Sequence, residues 1–277
     1  MTDYSNPAVL YVQSYLLIRT IVGVVGIALP LVFIIGEAYV LRGGVRVRGS
    51  ISAYYHTSMR DLFVAGLCVT AFLLTTYMSG QTDTWDFWLS LLAGVALLGV
   101  VFFPTSRPGL AQAAPRCGAM PMPEGCSPIQ QQFGEASVAV IHLSCAVVFV
   151  LSLAGISFLF GWRENRYKGR VGMKRFQYFC AGLIVTSVAG VVVGELLSWN
   201  VWELTPLYLG EVTAVWAFGA SWLMKGTDLR RTLFPWRHQL GGAHRFRRRA
   251  EGHLNTEVSA SLPEREQEKP HQIRKRH

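Results

Sequence analysis

Ser137–Phe160 reads SVAVIHLSCAVVFVLSLAGISFLF, a stretch with no Lys, Arg, Asp or Glu. A hydrocarbon core about 30 Å thick is crossed by roughly 20 apolar residues rising about 1.5 Å each. Backbone N–H and C=O groups find no water in lipid, so a segment of this kind must be a helix. Similar blocks lie on either side of it, at Tyr15–Tyr39, Leu62–Met78, Phe87–Phe103, Phe176–Leu197 and Leu207–Met224. Leu62–Met78 and Phe87–Phe103 are short, so their ends are expected to extend into flanking polar residues. The strand-length alternation of an outer-membrane barrel is absent. The sequence therefore predicts an all-α fold, a six-helix transmembrane bundle over residues 1–226 with a basic, largely disordered tail over 227–277. Tyr15–Tyr39 reads as a span and not as a cleaved signal peptide, because Met1–Ser14 carries no Lys or Arg and the block outruns a signal h-region. Pro30 inside it predicts a kink that neighbouring helices accommodate.

The net charge of +9 is unevenly spread. From Lys225 onward there are 13 basic and 6 acidic residues, against 13 and 11 in the rest of the chain. The basic character belongs to the tail, and nucleic acid is not an expected partner. Arg163, Arg166, Lys168, Arg170, Lys174 and Arg175 crowd the fourth loop, on the same side of a six-span bundle as the tail. Cytoplasmic loops are the basic ones, so this side and both termini are assigned to the cytoplasm of a cell (inner) membrane. Arg42, Arg46, Arg48 and Arg60 in the first loop run against the rule. Cys117 and Cys126 share a third loop rich in Pro and Gly, and this orientation puts them outside, where a disulfide persists. Cys68, Cys145 and Cys180 sit inside apolar blocks as small hydrophobes. In the tail, Leu229–Leu240 suits a membrane interface. Arg245–Arg249 suits anionic lipid headgroups, although such a cluster more often serves simply to fix topology.

Polar residues near the outer ends of the helices are the candidate site. Glu37 closes the first helix, Ser50, Ser52, Tyr54, Tyr55 and His56 fill the first loop, and Asp61 opens the second helix. His142 lies early in the fourth span, Glu195 near the end of the fifth and Glu211 a turn into the sixth. No comparable set is expected in the inner half. Ionisable groups in spans are functional hypotheses by default, yet near helix ends they also serve as plain ion-pair partners for the first-loop arginines. Three chemistries use these residue types. His56 and His142 with Asp61, Glu195 or Glu211 would make a His₂-carboxylate zinc site with an open water position. Ser50 or Ser52 would act as nucleophile beside a metal or a His base. His and Glu would form a proton relay in a transporter. No H-E-x-x-H, no G-x-S-x-G and no i, i+4 His pair is present.

Ser50-x-Ser52-x-Tyr54-Tyr55-His56-Thr57-x-x-Arg60-Asp61, Phe103-Pro104-Thr105, Ile141-His142 and Glu211-x₄-Trp216 through Gly226 resemble an uncharacterised family of bacterial multi-pass membrane proteins. The resemblance spans most of residues 15–226 and implies no particular activity. A fainter one is to the alkaline-ceramidase-like transmembrane hydrolases, zinc enzymes of seven helices, and would match their Ser, Asp and one His to Ser52, Asp61 and His142. The late His-x₃-His pair of those enzymes and one helix are missing here. The functional expectation is an outward-facing polar pocket handling a lipid or small amphiphile. A metal-dependent hydrolase, and a transporter or non-catalytic assembly or sensor subunit, are the alternatives. The last is favoured if the outer polar groups merely pair among themselves.

Overall fold

A computed structural model describes residues 7–41, 47–77, 82–108, 114–119, 123, 125–166, 171–199 and 204–233, and side chains in these ranges except 7–13, 41, 165, 166 and 227–233. Arg42, Arg46, Lys168, Arg170 and the tail cluster Arg245–Arg249 lie outside the described residues.

Among the described residues the fold is all-helical. The helices are α1 (Pro7–Leu41), α2 (Arg60–Thr76), α3 (Trp85–Phe102), α4 (Pro128–Phe133), α5 (Glu135–Arg166), α6 (Val171–Leu196) and α7 (Pro206–Leu233). A 3-10 turn, Ser52–His56, stands between α1 and α2. Four of the helices contain segments long and apolar enough to cross a membrane, namely Ser14–Val40, Trp85–Phe102, Glu135–Glu164 and Val171–Leu196. Only 22–44% of the most apolar window of each is buried. Leu17, Ile35, Phe72, Phe158, Phe179 and Leu196 all face outward. A water-soluble surface does not carry apolar area on this scale, whereas lipid covers it at no cost. α2 has 17 residues, and α7 includes Glu211 and Lys225. Pro30 lies inside α1 without ending it.

Helix ends follow local chemistry. The Thr84 side chain caps α3 by accepting from the Phe87 N–H at 3.3 Å. Ser127 and Gln130 form a capping box around α4, with Pro128 in its first turn. The third loop, rich in Pro and Gly, thus carries a short helix of its own. Cys117 and Cys126 are joined in it as a disulfide.

α3 packs between α2 and α5, α5 between α3 and α6, and α1 lies against α2. Close approaches are made at glycines. A Cβ on Gly219 of α7 would stand 2.8 Å from the Gly23 carbonyl oxygen of α1, and one on Gly194 of α6 2.5 Å from Pro206. Gly190, the other half of the Gly190-x₃-Gly194 pair, meets nothing within 4 Å.

Candidate functional site

The first loop is not a solvated link. Ser52, Ala53, Tyr54 and Tyr55 of the 3-10 turn are buried, and Tyr54 stacks on Phe33 of α1 at 5.3 Å between ring centroids. The turn is closed from within by Ser50, whose Oγ accepts from the Ala53 N–H at 3.0 Å and lies 3.1 Å from Ser52 Oγ. It is fastened at two points, to α7 and to the residue just before it. Glu211 Oε2 accepts from the Ile51 N–H at 2.5 Å, with the Ser52 hydroxyl alongside the same carboxylate. Thr205 Oγ1 donates to the Gly49 carbonyl at 2.5 Å. Glu37, buried at the end of α1, takes the guanidinium of Arg48, with Nε donating to Oε1 at 2.9 Å. Hydrogen bonding to Glu37 raises the Arg48 pKa above its ordinary value. The Tyr54 hydroxyl faces the Arg48 backbone N–H without closing a hydrogen bond. Burial pushes that hydroxyl up to about 12, so it stays protonated.

The two histidines serve the other side of the turn. Pro104 stops α3 and leaves the last carbonyls of the helix without intrahelical partners. His142 Nδ1 donates to two oxygens there, Phe103 O at 2.7 Å and Val100 O at 3.1 Å. His56 Nε2 donates to Thr105 O at 2.7 Å, an oxygen that also accepts from Gln130 Nε2 at 3.0 Å. Carbonyl oxygens only accept, so these contacts fix a proton on His56 Nε2 and on His142 Nδ1. Burial holds the His56 pKa below its ordinary 6.5. Glu135, at the first position of α5, accepts from the Arg107 N–H at 2.7 Å and the Cys117 N–H at 3.2 Å, and pairs with the Arg107 guanidinium. It is 2% exposed. Sequence reading passed over Glu135, although an acid at a helix start just after Gly134 was the available signal.

Of the candidates His56, Asp61, His142 and Glu211, the structure brings the two histidines near each other and sets the carboxylates apart. His56 and His142 lie at one end of α3 and within electrostatic reach of each other. Glu211 is engaged earlier in the loop, by Ile51 and Ser52. Asp61 is exposed in the first turn of α2, a position favourable to an acid, and Glu195 is exposed near the end of α6. Among the described residues no three His, Cys, Asp or Glu side chains stand together as metal ligands, so His56, His142 and Glu211 do not assemble a zinc site in this arrangement.

The expectation that the opposite half lacks a comparable set is wrong. Arg19 of α1 is 2% exposed. Its Nε donates to Tyr77 Oη at 2.5 Å. Its guanidinium carbon lies 4.4 Å from the Phe160 ring centroid, 5.1 Å from Tyr15, 5.3 Å from Tyr77 and 5.8 Å from Trp222. Asp86 pairs with Arg163 and is within electrostatic reach of Arg19. Glu164 pairs with Lys225, and Ser221 donates to Gln177 Oε1 at 2.5 Å. Asp86 Oδ1, Ser157 Oγ and Trp222 Nε1 are buried here without partners among the described residues. Sequence reading missed this group because its members sit in turns or as single polar residues within apolar blocks.

Two apolar grooves flank α6. One, of about 250 Å³, runs between α6 and α7 past Leu183, Gly190, Trp199, Pro206 and Gly210. The other, of about 630 Å³, lies between α5 and α6 past Leu151, Gly155, Phe158, Tyr178 and Gly182. No family model, curated protein or solved structure matches this chain, and neither motif resemblance gains support from these comparisons.

Proposed function

We propose that this chain is a six-span protein of the cell (inner) membrane and a non-catalytic sensor or assembly subunit, with a preformed cap at its disulfide-bearing end. The observation that carries the reading is what the candidate groups bind. Glu211, His56, His142, Ser50 and Glu135 all bond to backbone groups, and Glu37 is paired with Arg48. A nucleophile or general base needs a lone pair or proton aimed at substrate. Here the N–H protons of both histidines and the oxygens of Glu211, Ser50 and Glu135 hold the first loop and the start of the third loop onto the helix ends. α2 and α7 complete the six spans. Pairing of Lys225 with Glu164 lessens the charge carried at one end of α7. The capped end faces outward, both termini face the cytoplasm, and the basic tail rests on anionic headgroups.

A second reading, an amphiphile-handling pocket, is favoured by the groove between α6 and α7. That groove passes Gly210, next to Glu211, and Pro206, next to the Thr205 that anchors the first loop. Elemental analysis of purified protein and lipidomics of a deletion strain separate the readings. The non-catalytic reading expects no stoichiometric metal and an unchanged lipid profile. A bound zinc ion per chain, or one lipid class accumulating in the deletion strain and cleared by wild type but not Ser52→Ala, would overturn it.

A further inference from the structure

The first loop and the start of the third loop meet at one oxygen. Thr105 O accepts from His56 Nε2 and from Gln130 Nε2, and Gln130 belongs to the capping box of α4. We propose that this junction is an acid-sensitive latch, with His56 as its titrating group, that releases the Ser52–His56 turn when the outer medium is acidified. The proposal rests on the sensor reading above and supplies its stimulus.

Nε2 already carries the proton donated to Thr105, so an arriving proton must go to Nδ1 and make the ring cationic while it is half-buried. The charges around it are mixed. Arg60 opens α2 and lies over the Tyr55 ring at 4.6 Å, and Tyr55 meets the His56 ring edge-on at 5.2 Å. Arg107 approaches from the segment after α3, and α5 contributes Glu135 and His142. Burial and two fixed cations oppose the new charge, while the Thr105 carbonyl and one carboxylate favour it, and burial outweighs them. That carboxylate already holds Arg107 and two backbone N–H groups. Water outside the junction hydrates an imidazolium without these constraints.

Linkage sets the sign. A histidine held below its ordinary 6.5 binds fewer protons in the closed state than in the open one. Closure is therefore fully stabilised above about 6.5 and weakens as pH falls through that value toward the lower closed-state one. The open fraction rises at most about tenfold per pH unit in that window.

The test is hydrogen exchange by mass spectrometry on the full chain in lipid nanodiscs. Protection of residues 50–57 is compared at pH 7.5 and pH 5, after correction for intrinsic exchange. Wild type is expected to lose several-fold protection there at the lower pH, with α3 and α5 unchanged. His56→Gln keeps a donor for Thr105 O but cannot titrate, and is expected to hold its protection at both values. His142→Gln should respond to acid as wild type does. An equal acid response in His56→Gln, no response in wild type, or a response abolished only by His142→Gln would each overturn the latch. None of these results touches the lipid and metal measurements, so the latch can fail while the non-catalytic reading stands.

Discussion

The two polar ends of this bundle are built on different principles. At the disulfide end, side chains bond mainly to backbone: Glu211 to Ile51, His142 to Phe103, His56 to Thr105, Glu135 to Arg107 and Cys117. At the Arg19 end, side chains bond mainly to side chains: Arg163 to Asp86, Lys225 to Glu164, Arg19 to Tyr77, Ser221 to Gln177. The first arrangement fastens loops that would otherwise carry unsatisfied amides and carbonyls at the membrane edge. The second ties helix to helix and leaves three buried polar atoms without a partner among the described residues. A concentration of polar residues in a membrane protein thus has at least two structural uses that need no substrate.

The largest effect expected of this contrast is at Glu135. Glu135→Ala removes the carboxylate from the Arg107 guanidinium, 12% exposed, which keeps its bond to the Pro115 carbonyl, and leaves two backbone N–H groups unbonded. Breaking a buried pair from one side costs about 3–5 kcal/mol. Asp86→Ala should cost clearly less, because the Arg163 side chain is 34% exposed and can take up water. Thermal unfolding in detergent compares the two. Equal losses would erase the distinction between the ends.

Helix packing gives the next effect. Gly219→Ala places a methyl 2.8 Å from the Gly23 carbonyl, a backbone atom that cannot swing aside, whereas Gly190→Ala meets open space. Overpacking costs about 1–3 kcal/mol, so the first should lower the midpoint of unfolding and the second should leave it unchanged or raised. The smallest effects belong to unpartnered groups. Tyr54→Phe and Ser157→Ala remove buried hydroxyls that make no hydrogen bond. Both should lie within about 0.5 kcal/mol of wild type or be more stable, since no partner is left behind. A loss above about 1 kcal/mol at Tyr54 would mean that its hydroxyl has a partner after all, a ligand included.

Four of the spans were legible because apolar length is a property of sequence alone, and Ser137–Phe160 announces itself without any tertiary information. The disulfide was legible for a similar reason: two cysteines share one Pro- and Gly-rich loop. The ion pair of Glu37 with Arg48 was among the pairings anticipated for the first-loop arginines. The burial of Ser52–Tyr55 was not legible, because a Ser- and Tyr-containing segment after three glycines has the composition of an exposed link. What buries it is contact with Phe33 and Glu211, which lie 21 and 157 residues from Tyr54 in the chain. The partners of the histidines were not legible, because nothing in their spacing shows that α3 ends between them in space. Pro104 was the clue: it marks a helix end whose carbonyls need donors. Arg19 was overlooked inside an apolar block, where the four rings around it come from α1, α5, α7 and the end of α2.

His142 and Glu211 are expected to do separate structural work and not one piece of chemistry. A double-mutant cycle of His142→Ala and Glu211→Gln on unfolding free energy tests it most directly. The two residues share no hydrogen-bond partner: one closes the end of α3 and the other holds Ile51. Each single change is expected to destabilise by about 1–3 kcal/mol, the cost of leaving buried groups unpaired. Independent sites add within about 0.5 kcal/mol, and that is the predicted result. A coupling energy well above that figure would put both residues in one site and contradict the account.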